Sequence, residues 1–194
     1  PDLNALKPIK IIGGYRDGVF KTELFCEALN YAGFGGEMLY ASVLLDQKEA
    51  LAGLESGNLY FMDKLAPDSI SIAVRAQSGI LEGDVALFDS LNVTKVKLGA
   101  DVVARDTQWM VQLDSSLVLQ YATWTMDPLN KVVYNTTGGV GLVEHFRLER
   151  DSQLLSVEGD MVNNLKVELR AIDLGNVARI LQRDSTFMSG NFNG

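Results

Sequence analysis

Two hydrophobic periodicities divide the chain. Between Lys21 and Ala32 the apolar residues Leu24, Phe25, Ala28 and Leu29 recur at helical spacing, with Glu23, Glu27 and Asn30 on other faces and Gly33 in place to end the run. This pattern predicts an amphipathic helix closed by a left-handed glycine. Asp46 followed three residues later by Glu49 resembles a capping box, and Ala50, Leu51 and Leu54 carry it to Gly57, so a second short helix is expected. A third is expected from about Leu174 to Arg183, where Val177, Ile180 and Leu181 share a side. Short strands are expected at Ile9 to Ile12, Glu37 to Val43 and Asn58 to Phe61.

From Ser69 onward the period falls to two, the signature of a sheet with one apolar and one wetter face. Ile70, Ile72 and Val74 point one way. Val96, Leu98, Ala100, Val102 and Ala104 share a face, opposite Lys95, Lys97, Asp101 and Arg105. Trp109, Val111, Leu113, Leu117, Leu119 and Tyr121 continue the alternation, which predicts a long hairpin between residues 94–105 and 109–125, turning near Asp106-Thr107. Further strands are expected at Lys131 to Tyr134, Leu142 to Glu149 and Asn164 to Ala171. The expected fold class is therefore α+β and β-dominated, an antiparallel sandwich or barrel-like sheet with two or three short helices. One domain spanning residues 1–194 is expected, with the glycine-containing stretch 13–20 as a flexible arm and 185–194 as an irregular tail.

Composition changes this picture little. With 47% hydrophobic and 22% charged residues the 194-residue chain has the make-up of an ordered globular domain. Its formal charge of −8 argues against a conventional grip on nucleic acid. No apolar run is long enough for a membrane-spanning helix, and Pro1-Asp2-Leu3-Asn4 has none of the features of a secretory signal, so no membrane partner is expected.

Candidate chemistry is sparse. His145 is the sole histidine, so any Ser-His-Asp or Cys-His arrangement would depend on it, and its alternation with Val143 and Arg147 places it on an exposed or rim position of a strand. Cys26 has no partner for an internal disulfide and is expected to be a packed, inert thiol. Asp151, Glu158 and Asp160 could approach one another around Gly159, although a solvated turn explains them more simply. Gly33 to Gly36 and Gly138 to Gly141 lack a complete dinucleotide or phosphate-loop pattern and read as turns. Asn92 and Asn135 head glycosylation sequons, to which no function is assigned. Trp109, Tyr121 and Trp124 could stack a sugar or a base, but their sheet-like spacing favours the core or a subunit contact. No catalytic, cofactor-binding or metal-ligating residue is therefore assigned, and no enzyme activity is expected.

The segment from Glu158 to Leu181, an alternating strand followed by Asn176-Val177-Ala178-Arg179-Ile180-Leu181, resembles a strand-then-helix segment of the tail tube proteins of long-tailed bacteriophages, with a weaker echo at Val93 to Arg105. The resemblance covers about a quarter of the chain. It implies a structural virion protein, assembled in the host cytoplasm, whose sheets join neighbouring copies into stacked hexameric rings. Its partners would be other copies, other tail proteins and DNA passing transiently through the tube, with no cofactor. The first third departs from this pattern. Its expected alternation of strands and helices resembles one lobe of a type 2 periplasmic solute-binding protein, which stands as the alternative.

Overall fold

The computed structural model describes residues 3–6, 8–31, 34–61, 64–65, 69–136, 141–160, 164–173 and 191–192. The chain divides into two compact units, Pro1–Lys97 and Leu98–Gly194. Among the described residues every element is a strand and the strands pair antiparallel, nearly all in one large sheet, so the expected α+β class with two or three short helices is corrected to all-β.

The first unit is an antiparallel meander. It comprises β1 (Leu3–Leu6), β2 (Ile9–Arg16), β3 (Val19–Tyr31), β4 (Phe34–Leu45), β5 (Glu49–Phe61), β6 (Lys64–Leu65), β7 (Ser69–Gln77) and β8 (Ile80–Phe88). Hydrogen-bonded neighbours run β2-β3-β4-β5-β7-β8; β1 pairs β3 beyond the end of β2, and β6 pairs β5. Tight turns set the registers. Asp17 (φ 51°) with Gly18 (φ 84°) joins Arg16 to Val19, and Ser78 (φ 52°) with Gly79 (φ 80°) joins Gln77 to Ile80. Two successive left-handed residues match the right-handed twist of paired strands, which is why these two-residue loops close hairpins.

Both helices expected in this unit are strands. Residues 21–32 carry two periods at once, since Leu24, Cys26 and Ala28 also alternate with Glu23, Phe25 and Glu27. Pairing along both edges of β3, with β2 and β4, decides between them in favour of the sheet. One consequence is that Phe25, which a helix would have buried, lies on the polar face and is exposed. Around Asp46 the capping chemistry is present but serves a turn. Its Oδ1 accepts the N–H groups of Lys48 (2.6 Å) and Glu49 (2.8 Å), while its own N–H donates to the Glu49 carbonyl (3.0 Å). Such a side-chain acceptor satisfies the same donors at a β-turn as at a helix start. Among the described residues the strand and helix alternation behind the solute-binding alternative is thereby replaced by consecutive strands.

The second unit takes in most of β9 (Thr94–Arg105), then β10 (Gln108–Leu113), β11 (Ser116–Leu119), β12 (Ala122–Met126), β13 (Lys131–Asn135), β14 (Gly141–Arg150), β15 (Gln153–Asp160), β16 (Asn164–Arg170), β17 (Ile172–Asp173) and β18 (Asn191–Phe192). β9 and β10 form the expected hairpin, with Arg105 opposite Gln108 across Asp106-Thr107. The expected single strand at 109–125 is divided, because the chain breaks at Asp114-Ser115 and turns at Gln120-Tyr121. β10 then pairs β13 and β11 pairs β12, and both β13 and β12 meet β14. Asp127 to Asn130 therefore bulge out between two successive stretches of one hairpin arm. Asn130, 1% exposed, fills the gap: its Oδ1 accepts the Leu113 N–H and its Nδ2 donates to the Leu113 carbonyl, both at 2.8 Å.

Leu117, Met126 and Leu148 form the buried cluster of this unit, with Leu113, Leu119, Trp124, Phe146 and Leu155 packed against it. Met126 is 0% exposed. The strands of β14 and β15 shift register between Val143 and Phe146, and His145 sits in that shift with φ 53°. A bulge of this kind resets the alternation. It allows Val143 before it and Leu148 after it both to be buried although they are five residues apart. The third expected helix, 174–183, and most of the tail 185–194 lie outside the described residues. The stretch 13–20 forms the end of β2, its turn and the start of β3.

Candidate functional site

In an antiparallel pair, residues opposite one another point to the same side of the sheet. Following the registers of the first unit from strand to strand sorts its side chains into two faces of different chemistry. One row runs Ile11, Leu24, Ala41, Leu54, Ile72 and Val85, and the next runs Thr22, Val43, Ala52, Val74 and Gly83. With Tyr15, Phe20, Leu45, Ala50, Ala76 and Leu81 at one end, this face is apolar from β2 to β8, with Tyr15, Thr22 and Ser56 carrying its hydroxyl groups. Within the unit the substantial contacts of each strand are with its hydrogen-bonded neighbours, so the strands build one layer. Ile11, Phe20, Leu45, Leu54 and Leu81 accordingly remain exposed on it.

The opposite face is charged. Its rows run Lys21, Leu44, Leu51, Arg75 and Glu82, and beside them Glu23, Ser42, Gly53, Ala73 and Asp84. The small residues of the second row leave a shallow depression of about 480 Å³, bordered by Lys21, Glu23, Tyr40, Arg75, Glu82 and Asp84. Its charges are matched in place. Lys21 Nζ lies 2.7 Å from Glu23, and Arg75 reaches Glu49 at 3.0 Å and Glu82 at 3.8 Å. The hydrogen bond to Lys21, and then its charge, hold the Glu23 carboxyl below its ordinary range, and the same contact raises Lys21. Tyr40 is raised first by partial loss of hydration and then by the Glu23 charge beside it. These pairs lie in solvent, where ion pairs are worth little. They make a hydrated polar face, with no nucleophile set beside a base.

The residues singled out in the sequence scatter across the molecule. His145 is exposed at the bulge in β14. Cys26 is 3% exposed in β3, and its Sγ donates to the Ala28 carbonyl at 3.2 Å. Asp151 occupies the turn before β15, whereas Glu158 and Asp160 lie at that strand's far end, so the three carboxylates do not converge. Among the described residues no group of three His, Cys, Asp or Glu side chains could hold a metal ion. Trp124 packs on the buried cluster, while Trp109 stands opposite Tyr134, each about half exposed, and Tyr121 occupies a turn. Gly35 and Gly36 are buried in β4, Gly141 opens β14, and Asn92 and Asn135 lie at a turn and a strand end.

The two helices expected at residues 21–32 and from Asp46 to Gly57 hide the two faces, since they interrupt the strands expected between them. A signal was present in Val19 to Glu27, where Lys21, Glu23 and Glu27 alternate with Phe20, Leu24 and Cys26 at period two. Comparison with protein-family models, curated proteins and solved structures finds no match to this chain. Of the stretch that resembles tail tube proteins, 158–160 and 164–170 lie in β15 and β16, 172–173 in β17, and 174–181 outside the described residues.

Proposed function

We propose that this chain is a sheet-surface carrier for long apolar molecules, lipid acyl chains being the chemical class that fits. The observation that carries this reading is the apolar face of the first unit, continuous over six strands, half-buried along its middle and exposed at Ile11, Tyr15, Phe20, Leu45, Leu54 and Leu81. At about 4.8 Å between strands it is about 24 Å wide, and at about 3.3 Å per residue its strands run from about 26 to about 43 Å. A patch of this size on a soluble surface marks a binding surface. Its residues are mainly Ala, Val, Leu and Ile, whereas the anchors of protein interfaces are chiefly Trp, Tyr and Arg. A hydrocarbon chain asks for no hydrogen bonds, and this face offers few. The charged opposite face keeps the other side of the sheet in water.

The test is titration of the detergent-free protein with a fluorescent fatty acid, together with organic extraction and mass spectrometry of what co-purifies. Saturable binding is expected, weakened about tenfold or more when Val43 and Ile72 are both replaced by Lys, a loss of at least about 1.4 kcal/mol. Absence of both binding and extractable lipid would overturn the reading.

A second reading is the structural one, a tube-forming subunit of the tail tube type, self-assembling in a virion with other tail proteins and DNA as partners. It draws support from long two-faced strands and from the resemblance at β15 and β16. Negative-stain microscopy tests it: rings or tubes are expected, and dispersed single particles at high concentration would remove it.

A further inference from the structure

Beyond the carriage of apolar molecules, the geometry points to a self-complementary edge: we propose that the free edge of β2 pairs antiparallel with the β2 edge of a second copy, about a two-fold axis at Ile12. Among the described residues β2 pairs only with β3, so its outer row of backbone donors and acceptors faces solvent. Such an edge is normally short, bulged or protected by charge. Here the run from Ile9 to Tyr15 is regular and carries a single charge, Lys10. Ile11, Ile12 and Tyr15 are 67%, 54% and 74% exposed.

The register follows from three requirements. The apolar faces of the two copies must lie on one side, which excludes every alignment that sets an odd-numbered residue opposite an even-numbered one, because side chains alternate along a strand. Among the remaining alignments, an axis at Gly13 would oppose Lys10 to Arg16, and like charges directly opposite are unfavourable. An axis at Ile11 would pair only residues 9–13 of β2. The axis at Ile12 pairs 9–15, setting Ile12 opposite Ile12, Ile11 opposite Gly13, Lys10 opposite Gly14 and Ile9 opposite Tyr15. A side chain would meet nothing within 4 Å above Gly14, so the Lys10 stem of the other copy has room there. Ile9 against Tyr15 is a favourable cross-strand pair of β-branched and aromatic side chains. The result is one sheet twice as wide, with its apolar face continuous across the axis, an isologous contact that closes at two copies.

Cross-linking of cysteine variants under mild oxidation, alongside sedimentation of the unmodified chain over a concentration series, tests this. Facing residues in an antiparallel pair lie within disulfide range. I12C should give a covalent dimer several-fold faster than I9C or R16C, and the unmodified chain, whose Cys26 is buried, should give little. I12K, at an exposed position, should keep the β circular-dichroism spectrum and sediment as a monomer where the unmodified chain dimerises. A unmodified chain that stays monomeric throughout, or equal cross-linking at 9, 12 and 16, would overturn the proposal. Fatty-acid binding by the I12K monomer separates a failure of this edge from a failure of the apolar face.

Discussion

Asn130 stands in for a backbone residue opposite Leu113. Its side-chain amide accepts the Leu113 N–H and donates to the Leu113 carbonyl, both at 2.8 Å, and also donates to the Asp127 carbonyl at 2.7 Å. The ladder between the two arms of the hairpin is thus carried across the Asp127 to Asn130 excursion by a side chain. Replacing Asn130 with Leu leaves buried backbone groups without partners, each worth about 1–3 kcal/mol. We expect N130L to lose about 3 kcal/mol in urea unfolding, and N130D to lose a comparable amount because a carboxylate cannot donate to either carbonyl.

The two units should differ in their response to truncation of apolar side chains. Met126 is fully buried, and M126A should cost about 2–5 kcal/mol by transfer and cavity terms together. Leu54 is exposed on the apolar face of the first unit, and L54A should cost less than about 1 kcal/mol. Denaturant unfolding of both variants checks this contrast, and equal losses would contradict an uncovered face.

At His145 the backbone is left-handed, with φ 53°. Glycine takes that conformation freely, whereas a β-branched residue strongly resists it. H145G should therefore match or exceed the parent in melting temperature, while H145V should lose about 1–2 kcal/mol. A gain for H145V would show that the bulge is not fixed by backbone geometry.

Asp46 gives a pH dependence whose sign follows from its hydrogen bonds. Acceptance of the Lys48 and then the Glu49 N–H groups lowers its pKa from 3.8 in the folded state. A group lowered on folding adds stability above its unfolded value and loses it as the pH falls through the folded one. The contribution is thus complete near neutral pH and fades below 3.8. In D46N, whose amide oxygen can still accept both N–H groups, thermal unfolding below pH 3.8 should fall less steeply than in the parent.

Much of the second unit was legible from side-chain alternation, because β10, β11, β12, β14 and β15 each set apolar side chains against the Met126 cluster. Ala100 to Ala104 and Val132 to Tyr134 occupy strands for the reason their spacing gives. In the first unit the strands expected at Ile9 to Ile12, Glu37 to Val43, Asn58 to Phe61 and Ile70 to Val74 are present, but residues 21–31 were misread, because Leu24, Ala28 and Leu29 satisfy the helical period as well as Leu24, Cys26 and Ala28 satisfy the strand period. Asp46 and Glu49 likewise fit a helix start and a turn alike. Pairing partners far along the chain decide such ties, and a window of a dozen residues does not contain them. The apolar face was hidden for the same reason, since it exists only once Leu24, Ala41, Leu54 and Ile72 are brought side by side.

The order β2-β3-β4-β5-β7-β8 has a kinetic meaning. From β3 onward each long strand of this series docks on the one made just before it, with only the small β6 intervening, so each of these steps closes a short loop. Topologies of this kind fold rapidly for their size. With no second layer among the described residues of the unit to tie distant strands together, stability accumulates by nearest-neighbour terms, as in repeat arrays. Removing β8 should then leave the preceding strands paired, and hydrogen exchange should be fastest at the outer strands and slowest at β4 and β5.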